Sequence, residues 1–201
     1  MHSKAIIILL LVLFTSHFAN AQQRNFSKKI GVTVSPIGES DPIRFNELEG
    51  DGSYSSKRLL SLGINYIHPI NNWLDLETGL EYAKYSIESI STNPPGQDKA
   101  PSNADLSLIN IPLTVRANFA NYFFVNGGLL LDFETSSSKN IDKQSGVGAL
   151  LGVGAQYKFN NRLGLFINPY TKLHALIPFA SETYHERLWE WGVRVGVTYS
   201  F

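Results

Sequence analysis

The fold is decided by the stretch Trp189-Glu190-Trp191-Gly192-Val193-Arg194-Val195-Gly196-Val197-Thr198-Tyr199-Ser200-Phe201. Every odd position in this stretch carries a large apolar side chain, and every even position carries a small, polar or charged one. Because side chains alternate between the two faces of a β-strand, this pattern predicts one long strand with an apolar face and a polar face.

The same alternation recurs upstream and divides the chain into eight predicted strands, at about 29–35, 57–67, 73–90, 106–119, 122–134, 146–159, 163–174 and 189–201. The connections between them alternate in length. Brief turns are predicted at 68–72, 120–121 and 160–162, and longer polar loops at 36–56, 91–105, 135–145 and 175–186. Short periplasmic turns and long extracellular loops are typical of membrane barrels. The sequence therefore predicts an all-β fold, an eight-stranded antiparallel up-and-down transmembrane β-barrel.

The N-terminus has the features of an export signal. Lys4 precedes an uncharged apolar run over residues 5–14, and Ala19-Asn20-Ala21 forms a small-x-small site. This arrangement predicts a signal peptide over residues 1–21 that is cleaved after Ala21, and a barrel domain over residues 22–201. The apolar run is too short to be a membrane-spanning helix.

Composition excludes several classes of function. The 17 basic and 17 acidic side chains balance, and removal of residues 1–21 takes away only Lys4, which leaves a net charge of −1. We therefore expect no nucleic-acid partner. The chain contains no Cys, so it has no lipoprotein anchor, disulfide or thiolate metal site. We expect neither a metal nor a cofactor.

Aromatic residues cluster near the ends of the predicted strands, which favours a membrane barrel over a soluble, lipocalin-like barrel with its apolar face inward. A periplasmic girdle is predicted from Tyr66, Trp73, Phe119, Tyr122, Phe123, Tyr157 and Phe159. An outer girdle is predicted from Tyr85, Phe133, Trp189 and Trp191. The alternation in the third strand slips near Lys84, which predicts a β-bulge or the exit from the membrane.

Several segments resemble one family of bacterial barrels. They are Gln22 after the signal peptide, Ile111-Pro112-Leu113-Thr114-Val115-Arg116-Ala117-Asn118-Phe119, Asn168-Pro169-Tyr170 and Tyr199-Ser200-Phe201. In these the chain is similar to the small outer-membrane β-barrel proteins of Bacteroidota (porin family, PorT-like). The resemblance implies an outer-membrane location, contact with outer-membrane lipid, and assembly by the barrel-assembly machinery with Tyr199 and Phe201 as a C-terminal signal. It assigns no activity to any residue.

The polar faces of the predicted strands place charges of both signs inside the barrel. The predicted lumen charge network consists of Asp75, Glu77, Glu81, Arg116, Asp132, Lys158, Lys172, Glu190 and Arg194. Charges in a narrow interior must be paired or hydrated. The network predicts a plug across the lumen, with a narrow ion path as the alternative.

The loops contain weaker candidates for a binding site. The first loop is acidic, with Glu39, Asp41, Glu47, Glu49 and Asp51, but its spacing does not match an EF-hand. The second loop, with Asn93-Pro94-Pro95-Gly96-Gln97 and Pro101, is suited to presentation to a partner.

A lipid A-modifying enzyme would need an acid or Ser beside His, and its candidates are His174, Ser181, Glu182 and His185. No nucleophile motif surrounds Ser181. The sequence favours a non-enzymatic barrel whose loops contact a surface ligand or an extracellular or periplasmic protein, or which serves membrane integrity. A narrow pore is the alternative, and an enzyme is a distant third.

Overall fold

The computed structural model describes residues 27–43, 52–91, 102–136, 143–159, 161–179 and 187–201. Its strands are β1 (Lys29–Ile43), β2 (Gly52–Pro69), β3 (Leu74–Ser91), β4 (Ser102–Phe119), β5 (Phe123–Ser136), β6 (Gly146–Lys158), β7 (Leu163–Pro178) and β8 (Arg187–Ser200). Each strand pairs antiparallel with the next, and β1 pairs with β8 from Lys29↔Ser200 to Ile43↔Arg187, which closes the barrel. The predicted eight-stranded antiparallel up-and-down barrel is confirmed. In this part of the chain no helix is long and apolar enough to cross a membrane.

Local chemistry sets the short turns at one end of the barrel. Between the paired Phe119 and Phe123 the chain reverses over three residues, 120–122, and Ala120 and Asn121 have the positive φ values, 48° and 61°, that such a tight connection uses. In the preceding turn, Asn71 Oδ1 accepts hydrogen bonds from the backbone N–H groups of Trp73 and Leu74, at 3.0 and 2.9 Å. These contacts reverse the chain within a few residues, so we call this the short-turn end.

The opposite connections fall in residues 44–51, 92–101, 137–142 and 180–186, which lie outside the described residues. The same holds for the signal peptide over 1–21, for Glu47, Glu49 and Asp51 of the acidic first loop, for the proline-containing second loop, and for Ser181, Glu182 and His185. The remainder of the predicted first loop belongs to β1 and β2, and Glu39 and Asp41 lie in β1.

The two faces of the wall are inverted relative to a soluble protein. On β5, Asn126 and Asp132 face inward and are buried, whereas Leu129 and Leu131 face outward and are exposed. The same alternation of inward polar and outward apolar residues holds on the other strands, with Val32, Leu62, Leu80, Leu113, Leu151, Leu165 and Val197 on the outer face. So large an apolar surface marks contact with lipid or with another apolar body. A lipocalin-like arrangement, with the apolar face inward, is excluded.

Register shifts interrupt the pairing near the end opposite the short turns. They lie between Val34 and Ile37 on β1, between Ser56 and Arg58 on β2, and between Glu134 and Ser136 on β5, opposite Ser107 and Leu108 of β4. On β6–β7, Val147↔Ile177 is followed by Ala149↔Leu173, which leaves two extra residues on β7. Each shift marks a β-bulge, where the strand bends and the direction of its side chains changes.

Tyr85 corrects one sequence prediction. The sequence places it in the outer aromatic girdle, since it lies toward a long-loop end, and separately predicts a slip in the alternation of β3 near Lys84. The structure shows the alternation continuing, with Lys84 exposed and Tyr85 fully buried in the lumen. The nearby register shift lies on the partner strand β2, so β3 itself keeps its phase.

Candidate functional site: the barrel lumen

Glu190 is the centre of a group of side chains that we call the outer cluster, comprising Glu81, Tyr85, Asp132, Tyr170, Lys172, His174 and Glu190. Tyr85 Oη donates to Glu190 Oε2 at 2.6 Å, and Tyr170 Oη donates to Glu190 Oε1. Lys172 Nζ lies 3.2 Å from Glu190 Oε1 and also contacts Glu81 Oε1. All five side chains are buried, so these contacts replace the water that the charges lose.

The β7 bulge sets the position of His174. Ala175, directly after it, has a φ of 47°, and both residues are fully buried instead of facing opposite sides of the wall. The imidazole is thereby held between two carboxylates, with Nδ1 at 3.1 Å from Asp132 Oδ2 and Nε2 at 2.9 Å from Glu190 Oε2. Because both ring nitrogens face acceptors, the site favours the doubly protonated imidazolium. Gly148 leaves room for this pair, since a Cβ there would lie 2.8 Å from Asp132 Oδ2.

A second group, the inner cluster, lies nearer the short-turn end and comprises Asn65, Glu77, Arg116, Phe124, Phe166, Asn168 and Arg194. Glu77 is approached by Asn65 Nδ2 at 3.1 Å, Arg194 Nη2 at 3.2 Å and Arg116 Nε at 3.6 Å. The Arg116 guanidinium stacks over the Phe124 ring, 3.5 Å from its centroid. A carboxylate with two guanidinium partners and an aromatic face fills this level of the lumen.

Asparagines link the inner cluster across the barrel. Arg194 Nη2 donates to Asn168 Oδ1 at 2.8 Å, and Asn168 Nδ2 donates to Asn126 Oδ1 at 3.2 Å. Nearer the short turns, Gln156 donates to Asn118 Oδ1 at 2.8 Å and Asn118 donates to Asp75 Oδ2 at 3.0 Å. The polar contacts therefore continue from the middle of the lumen to its mouth.

The structure thus brings together eight of the nine residues of the predicted lumen network as buried side chains. Lys158 lies on the inward-facing register of β6, but it is exposed at the short-turn mouth. His174, which sequence reasoning considered only as an enzymatic candidate, is a full member of the outer cluster. Within the described residues, no group of His, Asp or Glu has the arrangement of a metal site.

Sequence reasoning missed the aromatic and aliphatic part of the lumen. Phe124 and Phe166 meet edge to face with ring centroids 6.2 Å apart, and Tyr170 lies beside Lys172. At the opposite end of the lumen, an apolar cluster covers the outer cluster. This apolar cap is formed by Ala83, Tyr85, Leu106, Leu108 and Leu188. The sequence did contain a signal for these inward residues. On each strand they occupy the same alternate positions, even or odd, as the polar residues that face inward.

The aromatic residues predicted for the periplasmic girdle lie on the outward face at the short-turn end. Trp73, Tyr122, Phe123, Tyr157 and Phe159 are exposed. Several of them touch, as in the pairs Phe119–Phe123 and Tyr157–Phe159, with ring centroids 6.0 and 5.0 Å apart. Tyr66 also faces outward and stacks with His68. At the other end Phe133, Trp189 and Trp191 are exposed, and Trp189 Nε1 donates to Thr171 Oγ1.

A closed barrel with an apolar outer wall and a charged, filled interior defines a membrane β-barrel. The chain belongs to the outer membrane protein beta-barrel domain family, whose model matches residues 5–201. Family and fold together give its location as the outer membrane, where the apolar wall contacts membrane lipid.

Two solved structures share this fold. One is the crystal structure of the outer membrane protein OprG from Pseudomonas aeruginosa, with a TM-score of 0.52, 14% identity, and coverage of 90% of this chain and 98% of that one. The other is the solid-state NMR structure of the outer membrane protein AlkL in DMPC lipid bilayers, with a TM-score of 0.53, 12% identity, and coverage of 90% and 92%. A search of curated proteins finds no match to this chain.

Proposed function

We propose that this protein is a non-enzymatic outer-membrane barrel whose lumen is closed, and that the barrel anchors its surface connections for interaction with a ligand or partner protein or for membrane integrity. The observation that carries this proposal is the contact of Lys172 on β7 with Glu81 on β3. In a ring of eight strands these two are opposite each other, so this ion pair spans the full width of the lumen.

The side chains on either side of the ion pair along the barrel axis also support a closed lumen. The apolar cluster around Leu106 and Leu188 lies on one side of it, and the stacked Arg116 and Phe124 lie on the other. Eight-stranded barrels leave an interior just wide enough for side chains to fill. A narrow pore for ions or small solutes is the alternative, because polar side chains continue from the outer cluster to the short-turn mouth.

Catalysis is not part of the proposal. His174, the one enzymatic candidate among the described residues, is held by Asp132 and Glu190 below the apolar cap. A Ser hydroxyl would have to reach its Nε2 to be activated, and that nitrogen faces Glu190 and Tyr85.

The finer assignments rest on the sequence and remain proposals. Residues 1–21 are a cleaved signal peptide, the short-turn end faces the periplasm, and Tyr199 and Phe201 serve the barrel-assembly machinery. The detailed resemblance is to PorT-like proteins of Bacteroidota. N-terminal sequencing of protein purified from outer membranes tests the first assignment, since a start at Gln22 is expected and a start at Met1 would exclude cleavage.

Single-channel recording tests whether the lumen is closed to ions. The mature chain refolded into a planar bilayer is expected to give no conductance steps, whereas reproducible steps would establish the pore. Lys172→Met is expected to produce steps or flicker because it removes the contact across the lumen. The matched control is Lys84→Met, since Lys84 pairs with Asp105 at 3.3 Å on the exposed face.

Loop replacement tests the anchoring role. We expect crosslinked partners on intact cells to be lost when residues 92–101 are replaced by a Gly-Ser linker. They are expected to remain when the lumen alone is changed by Lys172→Met. Crosslinks that survive replacement of each of 44–51, 92–101 and 180–186 would contradict anchoring by these segments.

A further inference from the structure

The buried charges of the lumen are segregated along the barrel axis. Toward the long connections, Glu81, Asp132 and Glu190 outnumber Lys172, with His174 between two of them. Toward the short turns, Lys29, Arg116 and Arg194 outnumber Asp75 and Glu77. Lys158 adds a further cation at that mouth, so the described inward-facing charges there sum to about +2, and this excess attracts an anion.

The rim around the short-turn mouth has the same sign. Lys28 and Arg162 are exposed there. The described residues of the rim, in 27–30, 67–74, 117–124, 155–159, 161–164 and 198–201, contain no Asp or Glu side chain. An approaching anion therefore meets no acidic side chain among them, and Lys28 and Arg162 together outnumber the α-carboxylate that ends the chain 22–201 at Phe201 on the same rim.

A small cavity opens at this mouth between β1, β4, β6, β7 and β8. Lys29, Arg116 and Lys158 line it together with the polar side chains of Gln156 and Thr198. Its volume is about 10 Å³, which is the space of a single water-sized group. One oxygen of an oxyanion fits that space, while the remainder of the anion stays in the open mouth.

The donors around the cavity suit a tetrahedral oxyanion. Lys29 and Lys158 supply ammonium groups, and the Thr198 hydroxyl lies against Gly164, where a Cβ would come within 2.7 Å of it. Charge-assisted hydrogen bonds from several directions are how proteins hold phosphate. Arg116 is fixed by Glu77 and Phe124, so it adds its charge without having to move.

We propose that the short-turn mouth binds a phosphate group, with one phosphate oxygen in this cavity and with Lys29, Lys158 and Thr198 as its donors. The group comes either from free inorganic phosphate or from the headgroup of an anionic phospholipid in the adjoining leaflet. The site is independent of the proposed role of the surface connections, which lie at the opposite end of the barrel.

The test is a titration of the ¹⁵N-labelled mature chain in dodecyl maltoside micelles, which carry no phosphate. One arm adds inorganic phosphate against chloride at equal ionic strength. The other arm adds a short-chain phosphatidylglycerol against the matching phosphatidylcholine. We expect saturable shifts of the Gly164 and Thr198 amide signals in at least one arm. Shifts with inorganic phosphate identify a free-anion site, and shifts with phosphatidylglycerol alone identify a headgroup site.

Substitutions of the proposed donors test whether these side chains hold the phosphate group. Lys158→Gln is expected to raise the Kd about tenfold or more, the effect of one lost charge-assisted hydrogen bond, and Thr198→Val is expected to raise it by a smaller factor. Lys84→Gln, at the other end of the barrel, should leave the Kd unchanged. The proposal is overturned if neither arm gives saturable shifts, or if Lys158→Gln binds as tightly as the unchanged chain. Lys158 is exposed, so the fold of that variant is not at risk, and its remaining amide signals verify this.

Discussion

At the scale of single residues, Glu190 shows how a buried carboxylate becomes a structural centre. It accepts from Tyr85 and Tyr170, and it also faces Lys172 and His174. Its partners come from β3 and β7, so one side chain of β8 ties three strands together across the lumen. In a low-dielectric interior such a network is stable only while every charge keeps its partner.

Lys172→Met tests this dependence. The substitution keeps most of the side-chain volume but leaves Glu81 and Glu190 without their ammonium partner. We expect the free energy of unfolding to fall by about 3–5 kcal/mol, the cost of breaking a buried ion pair from one side. Denaturant unfolding in lipid vesicles, followed by Trp fluorescence, measures the change.

Lys84→Met is the control, because solvent and salt screen its exposed pair with Asp105 and little change is expected. Equal unfolding midpoints for the unchanged chain and Lys172→Met would show that the ion pair does not stabilise the barrel.

At the scale of the strands, the predicted bounds agree with the structure to within two residues at the short-turn end, and at the other end they are too short for most strands. The predictions for the outer ends of β1, β2, β5 and β7 stopped at 35, 57, 134 and 174, and register shifts lie next to each of these points. A bulge breaks the two-residue period while the backbone pairing continues beyond it. Sequence alternation therefore detects a strand only as far as its first bulge.

Adjacent glycines on β5 test how closely the strands approach. A Cβ on the inward-facing Gly128 would lie 2.2 Å from Leu113 O and 2.7 Å from Thr114 Cα, both in the β4 backbone. A Cβ on the outward-facing Gly127 would meet only the end of the Leu151 side chain at 3.3 Å and Leu150 O at 3.4 Å. We expect Gly128→Ala to destabilise the barrel by about 1–3 kcal/mol and Gly127→Ala to be tolerated.

The two variants share one strand, one residue type and one substitution, so their unfolding midpoints compare only the two faces of the wall. If Gly127→Ala proved the more damaging of the pair, the assignment of Gly128 to the inward face would be contradicted.

At the scale of the whole molecule, the outward face divides into an apolar wall with aromatic residues near both ends. The chain contains 3 Trp residues, and Trp73, Trp189 and Trp191 are all exposed on this face. Trp rings prefer the level of the lipid headgroups. Trp73 lies at the short-turn end and the other two lie at the opposite end, so the three mark both proposed interfaces.

Fluorescence quenching by brominated lipids measures this placement. Bromines close to the headgroup are expected to quench the Trp emission more strongly than bromines deep in the acyl chains. Trp73→Phe should remove part of the signal without changing the depth preference of the remainder. Stronger quenching by the deep bromines would contradict the girdles.

Much of the lumen could be predicted because its residues share a parity along their strands. Glu77 and Arg194 were placed inside from sequence alone, and the structure shows them in contact at 3.2 Å. The role of His174 could not be predicted, because its orientation depends on a bulge and on the positive φ of Ala175. Tyr85 was misplaced because its size and aromatic character suit either face of the wall.

The sequence by itself determined the strand number, the two faces of the wall and the charge content of the interior. These properties follow from alternation and turn chemistry, which act between residues close in the chain. Only the tertiary structure decided which charges meet, such as Lys172 with Glu81 across the barrel, and where the excess of each sign lies. Those facts depend on barrel closure and on the register between strands distant in sequence, and no local pattern encodes either of them.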